Sequence, residues 1–225
     1  MIDLRFLRIR VFYRLLSPFS ARSRSKRMLD FIHLTGAKEG VSIIDLGGQP
    51  MIWDSIESPL EITILNLPGI ARISRQSHHH IEYVVGDACN VTDYEDGSFD
   101  IVFSNSVIEH VGGPAARLDF AREVRRLGRA YWVQTPCKYF PIEAHNGMPF
   151  WWFYPNALRQ AMIARWKKKL PEWTEMIEGT DIVSRDELER LFPEGKILVE
   201  RFLGLPKSYI VFQGPVGFAG TADGM

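Results

Sequence analysis

The chain has 225 residues, 46% of them hydrophobic, and its 27 Lys and Arg balance 27 Asp and Glu. That length and apolar content exclude a disordered chain and suit one folded domain with embellishments. The charge balance gives no general case for nucleic acid as a partner, and no apolar stretch reaches the ~20 residues that span a bilayer.

Charge is concentrated at the start. Residues 1–27 hold Arg5, Arg8, Arg10, Arg14, Arg22, Arg24, Lys26 and Arg27 against Asp3 alone, interleaved with Leu4, Phe6, Leu7, Ile9, Val11, Phe12, Leu15 and Leu16. Residues 1–36 read as a basic, apolar helical segment. At about 100° per residue the arginines do not keep to one side, so docking on the domain or covering its site is the first expectation. Peripheral membrane contact through residues 1–27 is the second. Cys89 and Cys137 fall in different expected loops. With no recognisable leader they read as free thiols, small buried fillers of a cytoplasmic protein.

Residues 22–34 predict a helix with Met28, Phe31 and Ile32 inward, ended by Gly36. Val41–Asp45 is the first strand: small and branched residues suit a sheet covered on both faces. It ends in Asp45, Gly47 and Gly48, and an acid beside such a turn marks the crevice where open α/β sheets bind ligands. Pro50 to Ser58 has room for a short helix, closed by Pro59. Glu61 to Leu67 is the second strand. His78-His79-His80 precedes the third with no Cys or acid at zinc spacing, so it is expected to be a solvated loop, and no metal site is expected.

The third strand starts at Ile81 and ends at Gly86-Asp87-Ala88. The fourth starts at Ser98 and runs through Ser104 into a short helix carrying Glu109 and His110. Pro114 to Leu127 is a helix with Pro near its start, where the missing N–H costs little; Leu118, Ala121, Val124 and Leu127 are expected against the sheet. Tyr131 to Pro136 is the fifth strand. Alternation of strands and helices argues for a parallel, doubly wound sheet.

Residues 136–155 form an aromatic, proline-rich insertion that should lie over the carboxyl edge of the sheet, as a rigid apolar wall with few polar groups. Arg165 to Lys169 reads as an exposed helix end. Lys196 to Leu203 and Lys207 to Phe212 are strands separated only by Gly204-Leu205-Pro206. That is too short for a parallel crossover, so the two must pair as a hairpin. The Gly- and Ala-rich tail, residues 215–225, is expected to be loose.

In order, Asp45-Leu-Gly47-Gly48, Gly86-Asp87-Ala88 and the Phe99-Asp100 strand running to His110 resemble the class I S-adenosylmethionine-dependent methyltransferases, especially their small-molecule, type 11-like branch. The resemblance covers roughly residues 25–213. It implies a Rossmann-like, mostly parallel seven-stranded sheet with order 3-2-1-4-5-7-6, residues 37–214 forming the domain. It further implies that Asp45, Gly47, Gly48 and Gln49 make the loop under the methionine moiety. Asn66 and Leu67 would face the ribose, Asp87 and Ala88 the adenine, and Ser104 and Asn105 the reacting methyl. Gln49 and Asn66 depart from the family, which has a glycine and an acid there.

Cofactor residues should be clearer than catalytic ones, because a sulfonium donor is already activated. His110, Glu143 and His145 are the expected bases or acceptor-binding groups. The function implied is methyl transfer from S-adenosylmethionine to a small-molecule or glycan-like acceptor, oxygen preferred. The rival readings are an inactive methyltransferase-fold scaffold and a nicotinamide enzyme. The latter lacks its G-x-G-x-x-G and conflicts with the hairpin.

Overall fold

The computed structural model describes residues 22–70, 72–73 and 76–215; the basic start up to residue 21 and the tail from residue 216 lie outside the described residues. Seven strands form one sheet in the order β3-β2-β1-β4-β5-β7-β6. They are β1 (Ser42–Leu46), β2 (Glu61–Asn66), β3 (His80–Val85), β4 (Phe99–Asn105), β5 (Gly128–Pro136), β6 (Lys196–Phe202) and β7 (Leu205–Gln213). The first five pair in parallel, and β7 runs antiparallel to both β5 and β6. The implied strand order and the hairpin are therefore what the chain forms.

The hairpin is tighter than expected. Only Leu203 and Gly204 separate the strands, both at positive φ (49° and 80°). That is the backbone of a two-residue turn whose twist matches the flanking strands. Pro206 thus lies inside β7, opposite Arg201, where the register shifts.

Both faces of the sheet are covered, which explains why β1 is apolar on both sides. On one face helix α1 (residues 22–35) places Met28, Phe31 and Leu34 against Ile43, Ile62, Ile64, Phe103 and Trp132. Phe31 is the hub, edge-on to Trp53, Phe103 and Trp132 at 5.8, 5.1 and 5.8 Å; Ile32 is only partly buried. On the other face α2 (Pro114–Leu127) and α5 (Arg185–Leu191) cover Ile44, Leu46, Val102 and Val133.

Helix α2 corrects one expectation. Leu118 is exposed, whereas Phe120 and Arg117 are buried along with Ala121, Val124 and Leu127. Leu118 sits roughly a third of a turn from the centre of that face, and Arg117 can be buried because Asp181 and Glu187 receive its guanidinium at 2.8 and 2.7 Å. The helix passes straight into β5 at Gly128, where a Cβ would lie 2.6 Å from the Ala130 carbonyl oxygen.

A third, smaller core lies outside the sheet. Trp151, from the aromatic insertion, packs with Ile163 of α3 (Asn156–Lys167) and Ile177 of α4 (Pro171–Glu178), and its ring stacks on Trp166 at 5.4 Å. Part of the expected apolar wall is therefore a core of its own, while Tyr139, Phe150 and Phe153 remain exposed. Both cysteines are free, Cys137 buried and Cys89 partly so. Among the described residues no helix is long and apolar enough to cross a membrane.

Candidate active site

The carboxyl ends of β1, β2 and β4 bring the glycine loop, Asn66 and the 105–110 segment to one edge. At Gly47 the chain takes φ +77°, and a Cβ there would meet Val107 Cγ2 at 2.6 Å. The glycine loop thus lies against the turn that carries Glu109 and His110. That segment is not the short helix expected. Ser106 is held at φ 58°, its N–H donates to the Gln134 carbonyl at 3.0 Å, and a single turn closes from Val107 to His110.

Asp45 is wholly buried. Its Oδ2 accepts from Trp53 Nε1 at 2.9 Å, and its Oδ1 has no hydrogen-bond partner. Burial pushes its carboxyl up to about 7, although the Trp53 bond works the other way. Of the roles open to it, shaping the glycine loop is the one this position allows; direct contact with a ligand is not. Gln49 is partly exposed and starts a short 3-10 turn (Pro50–Ser55) without capping it by its side chain. Asn66 donates from Nδ2 to the Gly48 carbonyl at 3.0 Å, so only its Oδ1 can serve a ligand as acceptor. Leu67 follows, 55% exposed.

Asp87 caps its own turn, with Oδ1 accepting from the Cys89 N–H at 2.8 Å, beside a buried Ala88. Ser104 corrects another expectation: it is fully buried and its hydroxyl donates to the Leu46 carbonyl at 3.1 Å. It ties β4 to β1 and does not face a ligand. Asn105 accepts from Arg27 Nη1 at 2.5 Å. The same guanidinium pairs with Glu200 at 2.6 Å, which makes this member of the basic 1–27 segment a buried brace.

The three expected catalytic residues do meet. His110 Nε2 lies 3.0 Å from His145 Nε2, and His145 Nδ1 lies 2.8 Å from Glu143 Oε1. The other Glu143 oxygen accepts from the backbone N–H groups of His145 and Asn146. Burial works to lower the His145 pKa, but the bond and charge of Glu143 outweigh it and hold the imidazole above its ordinary value. Burial drives His110 down to about 4.

Glu109 was not among the expected catalytic residues. It is buried beneath the pair, with Oε2 accepting from Thr135 Oγ1 at 3.0 Å, and burial pushes its carboxyl up to about 7. Its place directly before His110 was the available signal. The His78–His80 run, expected in a solvated loop, is partly packed instead: His79 is buried and bonds the Trp53 carbonyl, and His78 bonds that of Ile56.

The glycine cradle, the acceptor left on Asn66 and the Asp87–Ala88 turn suit a ligand with amino-acid, ribose and adenine groups. Residues 66–130 match the model of a methyltransferase domain. No curated protein matches the chain. Among solved structures it resembles the PH0226 protein of Pyrococcus horikoshii (14% identity, 88% of this chain and 91% of that one, TM-score 0.51). It also resembles geranyl diphosphate C-methyltransferase of Streptomyces coelicolor (14%, 86% and 78%, 0.52). An O-methyltransferase family protein of Burkholderia thailandensis is a third (12%, 86% and 57%, 0.50). At such identities the likeness is one of fold.

Proposed function

We propose that the chain, whose residues 66–130 match a methyltransferase domain, is a class I S-adenosylmethionine-dependent methyltransferase and that its acceptor is a small molecule or glycan methylated on oxygen. S-adenosylmethionine is the cofactor, and when bound it supplies a methyl group already activated on a sulfonium. The fold does not choose the acceptor atom, since a C-methyltransferase and an O-methyltransferase family protein resemble the chain about equally. The reading is carried by the His145–Glu143 pair set against His110. An imidazole oriented by a carboxylate is the arrangement of a general base, and a hydroxyl acceptor needs one where a neutral amine does not.

Residues of the glycine loop at Gly47 and Gly48 would hold the amino-acid end of the cofactor. Asn66 through Oδ1, with Leu67, would take the ribose, and Asp87 with the Ala88 N–H the adenine. Asn105 and the 106–110 turn would border the reacting centre. His145 would accept the acceptor's proton at Nε2 while Glu143 steadies the imidazolium. The test is calorimetric titration of S-adenosylmethionine and its demethylated product, followed by turnover on a panel of phenols and sugars. Binding, with turnover on a hydroxyl acceptor that falls ~10²–10⁴-fold in His145→Ala, is expected. Turnover on amines or carbon acceptors alone, or full activity in both His145→Ala and Glu143→Ala, would refute the oxygen reading.

A further inference from the structure

Side chains from two separate segments aim donor atoms at one point behind the glycine loop. His110 Nε2 and His145 Nε2 are 3.0 Å apart, Glu109 Oε1 is 4.0 Å from His145 Nε2, and the three donor atoms all lie within 4.8 Å of one another. The far atom of each group is held in place. Glu143 Oε1 takes His145 Nδ1 at 2.8 Å, Thr180 Oγ1 lies 3.3 Å from His110 Nδ1, and Thr135 Oγ1 donates to Glu109 Oε2 at 3.0 Å.

Counting hydrogens shows what the centre wants. The Thr180 hydroxyl reaches the Met176 carbonyl at 2.8 Å; with its hydrogen there, its oxygen accepts from His110 Nδ1. Glu143, a carboxylate, likewise accepts from His145 Nδ1. In the neutral tautomers that carry both hydrogens on Nδ1, each Nε2 turns its lone pair toward the other ring. Glu109 Oε1, on a side chain only 2% exposed, has no hydrogen-bond partner. Two imidazole nitrogens and a carboxylate oxygen converge on one place, and the buried carboxylate oxygen left without a partner there is costly.

We propose that Glu109, His110 and His145 form a binding site for a divalent transition-metal cation, with Glu143 and Thr180 orienting its histidine ligands. Two imidazoles and one carboxylate suit Zn²⁺, Fe²⁺ or Co²⁺ better than Mg²⁺ or Ca²⁺, which prefer all-oxygen sites. A ligating histidine whose other nitrogen is fixed by a carboxylate is the usual outer support of such a site. A single proton is the rival occupant: His145 imidazolium would bond His110 but leave Glu109 Oε1 unmatched at 4.0 Å. A cation answers all three donors. With the cation bound, His145 Nε2 is a ligand and not the proton acceptor; three protein ligands leave a position for an acceptor hydroxyl, whose pKa the cation would lower in place of that base. This use rests on the methyl-transfer reading, but the site does not.

The test uses the full chain stripped with EDTA. It is titrated with Co²⁺, followed by ligand-field absorption, and with Zn²⁺, followed by calorimetry. One ion per chain is expected, abolished in folded His110→Ala/His145→Ala and weakened 10–100-fold in Glu143→Gln. Lack of saturable one-to-one uptake by the wild type, or unchanged uptake in the folded double variant, would overturn the site. Should that variant not fold, Glu109→Gln serves: at least tenfold weaker uptake supports the site and unchanged uptake refutes it. The demethylated cofactor is titrated into the same sample. Its binding without metal uptake defeats the cation site alone, and metal uptake without its binding defeats the methyl-transfer reading alone.

Discussion

The carboxylate of Asp45 is wedged against Gly48: a Cβ built on Gly48 would lie 1.8 Å from Asp45 Oδ2, the oxygen that also accepts from Trp53 Nε1. Glycine at 48 is therefore required by space rather than by backbone angle. Gly48→Ala should cost ~1–3 kcal/mol through overpacking and lower affinity for the demethylated cofactor at least tenfold. Urea unfolding and calorimetry on the same sample would check both.

Asp45 also makes stability depend on pH. Its native pKa of about 7 exceeds the ordinary value of 3.8, so between those values the folded state holds more protons than the unfolded. Stability from this group is full below about pH 4 and falls as pH rises through about 7, at up to ~1.4 kcal/mol per pH unit. Asp45→Asn should remove that part of the slope. Unfolding at pH 5 and 7.5 measures it; a variant slope equal to the wild type's would contradict the assignment.

Asn66 is where the family pattern suggests a gain that the structure argues against. Its Nδ2 donates to the Gly48 carbonyl, and an aspartate cannot donate. Asn66→Asp should therefore destabilise the protein by ~1–3 kcal/mol and leave cofactor affinity no tighter, despite the added acceptor charge. A calorimetric Kd several-fold lower in the variant would count against this role.

Arg27 links helix α1 to the site edge. Burial works to raise the Glu200 carboxyl, yet Arg27, with Ser208, Ser23 and Lys207, holds it below the ordinary carboxylate range. Arg27→Met removes the nearest cation from a buried acid that keeps Lys207 at 3.8 Å and the Ser23 and Ser208 hydroxyls, and should cost ~1–3 kcal/mol. Arg27→Met/Glu200→Gln should recover much of that loss, while Asn105 still lacks its brace and cofactor binding stays weak. Thermal unfolding with calorimetry separates the two effects.

By itself the sequence determined the layout of the sheet. Alternating strands and helices required parallel crossovers, and the gap of three residues read between the last two strands, two in the structure, left only a hairpin, because chain reach and handedness are local constraints. It also marked the loop edge through Asp45, Gly47 and Gly48. Only the tertiary structure decided what these residues do. Asp45 and Ser104 face inward, and Leu118 yields its place to Phe120, because burial depends on which neighbours fill the opposite layer. His110 meets His145 across 35 positions of sequence. Such a meeting is set by where β5 and the insertion after it place a side chain, and no spacing along the chain encodes it. The consecutive histidines at 78–80 stood out in the sequence, and two of them, His78 and His79, hold backbone carbonyls. The cluster with converging lone pairs was split between two segments and took shape only in the fold.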